Sequence, residues 1–156
     1  MSLRAASARA ALVAVATVVA DQAVKALVRA EIEPGERISV VPGVHLVRVH
    51  NSGVAFGLFP GGGIVLIAVG VLALGALLTF FVTHHGRRLV WLPTGLLIGG
   101  AAGNLVDRLR EGSVTDFLQL PHWPAFNVAD MAITVGVVAL VLVIEASPRQ
   151  RAGRAA

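Results

Sequence analysis

Cysteine is absent from this sequence, and charged residues make up only 14% of its 156 positions. The first absence excludes disulfide bonds and metal sites built on thiolates. The second sets the chain apart from soluble domains, in which about 25% of residues are charged. Hydrophobic residues account for 56% of the chain. The composition is therefore that of a membrane protein, and the length allows a single domain.

The sequence also lacks the patterns of several common functions. None of its five histidines stands at metal-ligand spacing from a carboxylate, and no glycine-rich phosphate loop is present. We therefore predict no metal site. The formal charge of +4 comes from basic residues scattered among apolar segments. Such scatter is typical of membrane topology and not of a nucleic-acid partner.

Four apolar segments have the length of membrane-spanning helices, which need about 17–25 residues. They are residues 10–28, 64–82, 89–105 and 128–144. The second and third carry no charge, the first contains Asp21 and Lys25, and the fourth contains only Asp130. We predict an all-α membrane protein with four transmembrane helices, forming one domain over residues 1–156.

The first apolar segment has a second interpretation. Because it follows Arg4 and Arg9, it could be a cleavable secretory signal. Its helical pattern continues through Asp21 and Lys25, which favours an uncleaved span.

The arginines predict the orientation of the chain. Seven of them share one side with both termini and the loop 83–88, where only Glu145 opposes them. These are Arg4, Arg9, Arg87, Arg88, Arg149, Arg151 and Arg154. By the positive-inside rule this side is cytoplasmic. Residues 29–63 and 106–127 then form outer loops, and residues 147–156 form a basic cytoplasmic tail.

The first outer loop has the pattern of β-structure. Residues 45–49 alternate as in a strand, and Ile38, Val40 and Val44 add β-branched side chains. We therefore predict a small extracytoplasmic β-rich region lying on the membrane.

The unusual polar residues fall near the outer ends of the predicted spans. They are Asp21, Lys25, Asn51, Gly53, Asn104, Asp107, Arg108, Asp116 and Asp130. An ionisable group beside hydrocarbon is costly, which makes the acidic and basic members of this set, Asp21, Lys25, Asp107, Arg108, Asp116 and Asp130, candidate functional residues. Asp116 and Asp130 stand 14 positions apart, and two carboxylates that meet can share a proton. We predict a site near the outer membrane interface.

Several of these residues also have a purely structural interpretation. Asp21 and Lys25 have the i,i+4 spacing of a helical ion pair. Asn127 and Asp130 have the spacing of a capping box at a helix start. Gly99 and Gly103, in the predicted third span, form a small-xxx-small pair.

Two other functions compete with carboxylate chemistry. Ser52 could be a nucleophile with Lys25 as its base. Alternatively, a small transporter could relay protons through its intramembrane acids. A relay should cross the whole membrane, yet the cytoplasmic half offers only Thr17, Thr94 and Thr134. The one-sided placement favours an enzyme.

Five short motifs follow one another between residues 21 and 130. They read Asp21-Gln22-x-x-Lys25, Asn51-x-Gly53-x-Ala55-Phe56, Gly99-Gly100-Ala101-x-Gly103-Asn104-x-x-Asp107-Arg108, Val114-x-Asp116-Phe117 and Phe126-Asn127-x-Ala129-Asp130. Together they resemble the motif set of the lipoprotein signal peptidases (signal peptidase II). All of the motif positions match.

The resemblance implies an intramembrane aspartic endopeptidase of the bacterial cytoplasmic (inner) membrane. Its partners would be membrane lipids and a prolipoprotein, cut just before a diacylglyceryl-modified cysteine to release the signal peptide. Asp116 and Asp130 match the catalytic dyad. Residues matching positions that hold substrate or support the site are Asp21, Lys25, Asn51, Gly53, Gly100, Asn104, Asp107, Arg108 and Asn127. Such a dyad requires no metal or organic cofactor, and we expect a monomer.

Overall fold

The computed structural model describes the backbone of residues 1–53 and 62–152, with side chains except at 62–64, 66 and 147–152. This part of the chain forms four helices and one sheet of three strands. The helices are α1 (Leu3–Glu31), α2 (Gly62–His84), α3 (Trp91–Glu111) and α4 (Val128–Ala152). The strands are β1 (Arg37–Val41), β2 (Val44–Asn51) and β3 (Val114–Gln119). The mostly helical fold with a small β-region is as predicted.

Three helical segments in the described part of the chain are long and apolar enough to cross a membrane. They are Leu3–Glu31, Ile67–His84 and Val128–Ala146. The helix α3 has 21 residues, but its glycines and its polar last turns leave no stretch of it apolar enough to be counted with these three. Length and composition thus support several membrane spans.

The ends of the helices differ from the predicted spans, and α1 already begins at Leu3 where the span was predicted from residue 10. Helix α1 runs to Glu31, past the predicted start of the outer loop at residue 29. Helix α3 runs to Glu111, because residues with high helix propensity continue up to that position. Gly112, with a φ of 71°, ends the helix. Asp107 and Arg108 are therefore helical and not part of a loop at 106–127. Helix α4 continues to Ala152, so most of the predicted tail at 147–156 is helical.

Some predicted features lie outside the described residues. They are positions 54–61 of the outer loop 29–63, with Ala55 and Phe56 of the second motif, and positions 153–156 of the tail.

Helix α3 occupies the middle of the bundle and contacts α1, α2 and α4. Its glycines allow close approach. A Cβ at Gly99 would lie 2.6 Å from the Cβ of Thr17 and 2.7 Å from the carbonyl oxygen of Ala14, both on α1. A Cβ at Gly100 would lie 2.5 Å from the carbonyl oxygen of Ala129 on α4. The predicted role of Gly99 in helix packing is confirmed, and α3 is wedged between α1 and α4.

The sheet is antiparallel with the strand order β1-β2-β3. Residues 45–49, predicted to form a strand, lie within β2. Val49 pairs with Asp116 on β3, and Asn51 follows two residues later on the same face. Buried Val28, Ile32 and Phe117 join the end of α1 to β3. This packing fixes the sheet against the helices beside the polar ends of α1, α3 and α4.

Candidate active site

Asp116 projects from β3 and receives its first hydrogen bond from the neighbouring strand. Asn51 Nδ2 donates to Asp116 Oδ2 over 2.9 Å. The orientation of this amide is fixed, because Asn51 Oδ1 accepts a 2.8 Å hydrogen bond from the backbone N–H of Gly53. Gly53 has a φ of 70°, a conformation that favours glycine. The turn at Asn51-Ser52-Gly53 therefore directs an N–H donor at Asp116.

Asp130 lies in the first turn of α4, where it forms the predicted capping box with Asn127. The backbone N–H of Asp130 donates to Asn127 Oδ1 over 2.9 Å. The backbone N–H of Asn127 donates in return to Asp130 Oδ2 over 3.2 Å. Each side chain thus satisfies an N–H group that the start of a helix leaves unpaired.

Asn127 also joins the two aspartates. Its side chain is fully buried, and Nδ2 donates to Asp116 Oδ1 over 2.6 Å. Burial raises the pKa of Asp116, and the negative charge of Asp130 raises it further, while the amide donors of Asn51 and Asn127 partly oppose the rise. The structure therefore brings together the two carboxyl groups that were predicted to meet, with Asn127 in contact with both.

Asn104, on α3, extends the network to a buried cation. Asn104 Nδ2 donates to Asp130 Oδ1 over 2.8 Å, and Asn104 Oδ1 accepts from Lys25 Nζ over 3.0 Å. An ammonium group has donors only. Lys25 therefore forces the oxygen of Asn104 towards itself, which turns the NH₂ group to Asp130. The same Oδ1 accepts from Asn127 Nδ2 over 3.2 Å.

Lys25 is the only lysine in the chain, and it is completely buried. Its Nζ lies 2.8 Å from Asp21 Oδ2 and 2.9 Å from Asp107 Oδ2. The predicted helical ion pair between Asp21 and Lys25 is confirmed and has a third member in Asp107. The trio holds one cation and two carboxylates, so removing Lys25 would leave Asp21 and Asp107 in the interior without their shared cation.

Asp21 and Asp107 also hold backbone groups of the elements that carry the dyad candidates. Asp21 Oδ1 accepts from the backbone N–H of Ala129 over 2.9 Å, at the start of α4. Asp107 Oδ2 accepts from the backbone N–H of Thr115 over 3.1 Å, directly before Asp116. The ion cluster thus fixes both Asp116 and Asp130 through their neighbours.

The other two predicted site residues lie on α3 at the edge of this network. Arg108 donates from NH1 to the carbonyl oxygen of Asn104 over 3.4 Å, and its buried Nε has no partner among the described residues. Gly100 contributes space, as its missing side chain admits the start of α4.

Two further polar residues belong to the network but were not predicted as site residues. Gln22 donates to Asp21, to Asp107 and to the carbonyl oxygen of Gly103. Arg29 donates to the hydroxyl of Thr115. The sequence feature that could have identified Arg29 is its spacing of four positions from Lys25, which puts both side chains on one face of α1.

An apolar groove of about 370 Å³ reaches Asp130 from the side of α4. Its lining residues are Leu120, Trp123, Phe126, Asp130, Met131, Thr134 and Val135. In the described part of the chain no group of three His, Asp or Glu residues could hold a metal ion. The site thus holds two carboxyl groups in contact with Asn127, an arrangement that allows proton transfer, and an apolar groove leads to Asp130.

Comparison with known proteins gives a consistent result. Residues 13–145 match the family model of signal peptidase (SPase) II. The lipoprotein signal peptidase of Halothermothrix orenii is 40% identical over 132 residues, which cover 84% of this chain and 91% of that protein. The lipoprotein signal peptidase of Moorella thermoacetica is 44% identical over 131 residues, which cover 83% and 87% respectively.

A solved structure of a bacterial membrane enzyme, determined by the in meso method at 1.9 Å resolution, has a similar fold. It superposes with a TM-score of 0.81 at 29% identity, covering 86% of this chain and 91% of that chain. Together, the family match and the apolar helices establish that this chain belongs to the signal peptidase II family and is a multi-pass membrane protease.

Proposed function

We propose that this protease is an intramembrane aspartic endopeptidase that removes the signal peptide from diacylglyceryl-modified bacterial prolipoproteins. It cuts the peptide bond just before the lipidated cysteine. The names of the relatives, lipoprotein signal peptidase, support this substrate. The observation that carries the aspartic mechanism is the contact of Asn127 with both Asp116 and Asp130.

The dyad of Asp116 and Asp130 hydrolyses the bond by general acid–base catalysis. The ionised carboxylate takes a proton from a water molecule, whose oxygen attacks the scissile carbonyl carbon. The protonated carboxyl group donates its proton to the carbonyl oxygen. In the second step the carboxyl group that took the water proton gives it to the leaving nitrogen as the C–N bond breaks, and the other carboxylate takes a proton from one hydroxyl of the tetrahedral intermediate, which restores the starting state of the dyad. The raised pKa of Asp116 supports a proton shared by the pair.

The remaining network residues serve the dyad in two ways. Asp21, Lys25 and Asp107 form the charged support beneath it. The residues that surround the site and hold substrate are Asn51, Gly53, Gly100, Asn104, Arg108 and Asn127. Arg108 is half-buried and donates to the described residues only from NH1, which supports a substrate contact, since a guanidinium has five N–H donors.

We further propose that all four helices cross the membrane and that residues 1–156 act as one monomeric domain. Polar residues of a spanning helix should face the protein interior, and buried Asn104 and Asp107 on α3 support this role. An even number of spans puts both termini on one side, which the arginines identify as cytoplasmic. The dyad is then near the outer face. A lipid-bearing substrate reaches it sideways from the bilayer, and the apolar groove ending at Asp130 supports that route.

The serine–lysine alternative has little support in the geometry. The Nζ of Lys25 donates to Asp21, Asp107 and Asn104, so its three protons are engaged. Ser52 is exposed, whereas Lys25 is completely buried. A buried, ion-paired ammonium cannot take a proton from an exposed hydroxyl.

Cleavage of a lipidated prolipoprotein by the purified enzyme tests the proposal. Asp116→Asn and Asp130→Asn should each abolish cleavage, because an amide can neither accept nor donate the transferred proton. The double variant should be scarcely slower than either single one, since the two groups act as a unit. Lipidated precursor should still bind. Ser52→Ala, the matched control, should keep most of its activity.

Substantial turnover by either Asp→Asn variant would contradict the dyad. Near-complete loss in Ser52→Ala with normal folding would instead favour the serine–lysine mechanism. Equal cleavage of lipidated and unlipidated precursor would contradict the proposed substrate.

A further inference from the structure

Arg29 connects α1 to the strand that carries Asp116. It lies one helical turn after Lys25, and 22% of its side chain is exposed. NH1 donates to Thr115 Oγ1 over 3.1 Å and lies 3.1 Å from Glu111 Oε1. The same nitrogen lies 3.8 Å from Asp107 Oδ1. One guanidinium therefore touches α3 and β3 at once.

Thr115 is completely buried and directly precedes Asp116. Its backbone N–H is bound by Asp107, and its hydroxyl by Arg29. Successive residues of a strand point to opposite faces, so Arg29 holds one face of β3 while Asp116 is presented on the other. A shift of Thr115 would move Asp116 by a similar distance, because the planar peptide unit between them is rigid.

The backbone of Arg29 is held by the neighbouring strand. Arg48, on β2, donates from NH1 to the carbonyl oxygen of Arg29 over 3.0 Å and to that of Ile32 over 3.4 Å. These carbonyls end α1 and would otherwise lack partners. Strand β2 also carries Asn51, the donor to Asp116. The last turn of α1 is thus bound to both strands that form the Asp116 side of the site.

Stability alone gives a weak account of Arg29. Its ion pair with Glu111 is partly exposed, 22% at Arg29 and 33% at Glu111, and ion pairs open to solvent contribute little free energy. The contact with the buried hydroxyl of Thr115 fixes the backbone next to Asp116. A small displacement there would slow the reaction strongly, since misplacement by about 1 Å can reduce rates 100-fold.

We propose that Arg29 is a positioning residue of the protease, which holds Asp116 in register with Asp130 by binding the hydroxyl of Thr115. The inference rests on the proposed dyad and adds to it. Arg29 lies outside all five sequence motifs.

The test compares four variants in the lipidated-precursor assay with the full-length enzyme. Arg29→Gln and Thr115→Val should each lower kcat about tenfold, the order expected for loss of one charge-assisted hydrogen bond, with KM within about twofold of wild type. The double variant should be no slower than the slower single one, because both remove the same contact. Glu111→Gln, the matched control, removes the ion pair but leaves the hydroxyl contact, and should keep wild-type kcat.

Thr115→Val preserves shape and the backbone bond to Asp107, so it tests the contact even if Arg29→Gln fails to fold. Wild-type kcat in Thr115→Val overturns the proposal. It is also overturned if Glu111→Gln loses as much as Arg29→Gln, or if the losses in the double variant multiply. Failure of the wild-type enzyme to cleave the precursor would instead contradict the proposed function.

Discussion

Asn127 and Asp130 hold each other across the first turn of α4, with each side chain accepting the other's backbone N–H. The same two side chains also face the site, where Asn127 donates to Asp116 and Asp130 accepts from Asn104. Helix capping and the proposed chemistry therefore use the same residues. Each aspartate accepts two hydrogen bonds, one at each oxygen, so neither carboxyl group can rotate freely.

Replacing Asn127 by serine separates the two roles. A serine hydroxyl can still cap α4, but it cannot donate to Asp116 as the longer amide does. We expect Asn127→Ser to unfold within a few degrees of wild type and to lose about 100-fold in kcat, the order found for one lost catalytic donor. Thermal unfolding in detergent and single-turnover cleavage measure the two quantities. A fall in melting temperature with unchanged kcat would mean that Asn127 is only a cap.

The pH dependence of cleavage should respond to Asn51. Desolvation already raises the pKa of Asp116, and the donor from Asn51 opposes that rise. Asn51→Ala removes the donor, so the pKa of Asp116 rises further. The acid limb of kcat/KM, which reports the first ionisation of the coupled pair, should move to higher pH. Ser52→Ala, in the same turn, should leave the limb in place. A limb that moves to lower pH would contradict this electrostatic account.

Close packing of α3 on α1 predicts opposite results at two glycines. Alanine favours a helix over glycine by about 1 kcal/mol. At Gly75 on α2, where a Cβ would meet no atom of the described residues within 4 Å, the substitution should leave the melting temperature unchanged or slightly higher. At Gly99 the added Cβ would lie 2.7 Å from the carbonyl oxygen of Ala14, so Gly99→Ala should cost about 1–3 kcal/mol through overpacking. Thermal unfolding measures both. Equal stability of the two variants would contradict the packing.

The proposed orientation can be tested with single cysteines, since the natural chain has none. A thiol at Ser2 or Gly86 should resist an impermeant reagent while the cytoplasmic membrane is intact. A thiol at the exposed position Glu33 should react. Disrupting the membrane should make all three react, which controls for burial. Labelling of a cysteine at Ser2 or Gly86 in intact cells would contradict the proposed orientation and would mean that the dyad lies near the cytoplasmic face.

The four helices could be predicted because each one largely coincides with an apolar segment of 17–19 residues. The end of α3 could not be predicted, because Asp107 and Arg108 look like loop residues as long as their partners in the folded chain are unknown. Lys25 neutralises Asp107 from another helix. A contact across 82 positions is not visible in local hydropathy.

Strand β3 and Arg29 were missed for a related reason. The segment Val114–Gln119 is too short for the alternation of apolar and polar residues typical of a strand to be recognised. It becomes a strand by pairing with β2. Arg29 reads as an ordinary basic residue near a helix end until β3 brings Thr115 beside it. That Asp116 and Asp130 would lie close together could be predicted, because carboxylates next to hydrocarbon are rare and both belong to the same set of motifs.

The glycines that let α1 approach α3 end at the ion cluster, where a Cβ at Gly103 would lie 2.7 Å from Asp21 Oδ2. A slip of one helical turn would displace α1 by about 5.4 Å, nearly twice the length of a hydrogen bond. Lys25 would then no longer reach Asn104, and the side-chain amide of Asn104, which donates to Asp130, could rotate by half a turn. On the proposed mechanism, the depth in the bilayer at which a peptide bond is cut is therefore fixed by helix contacts that begin at Gly95, about two helical turns before Gly103.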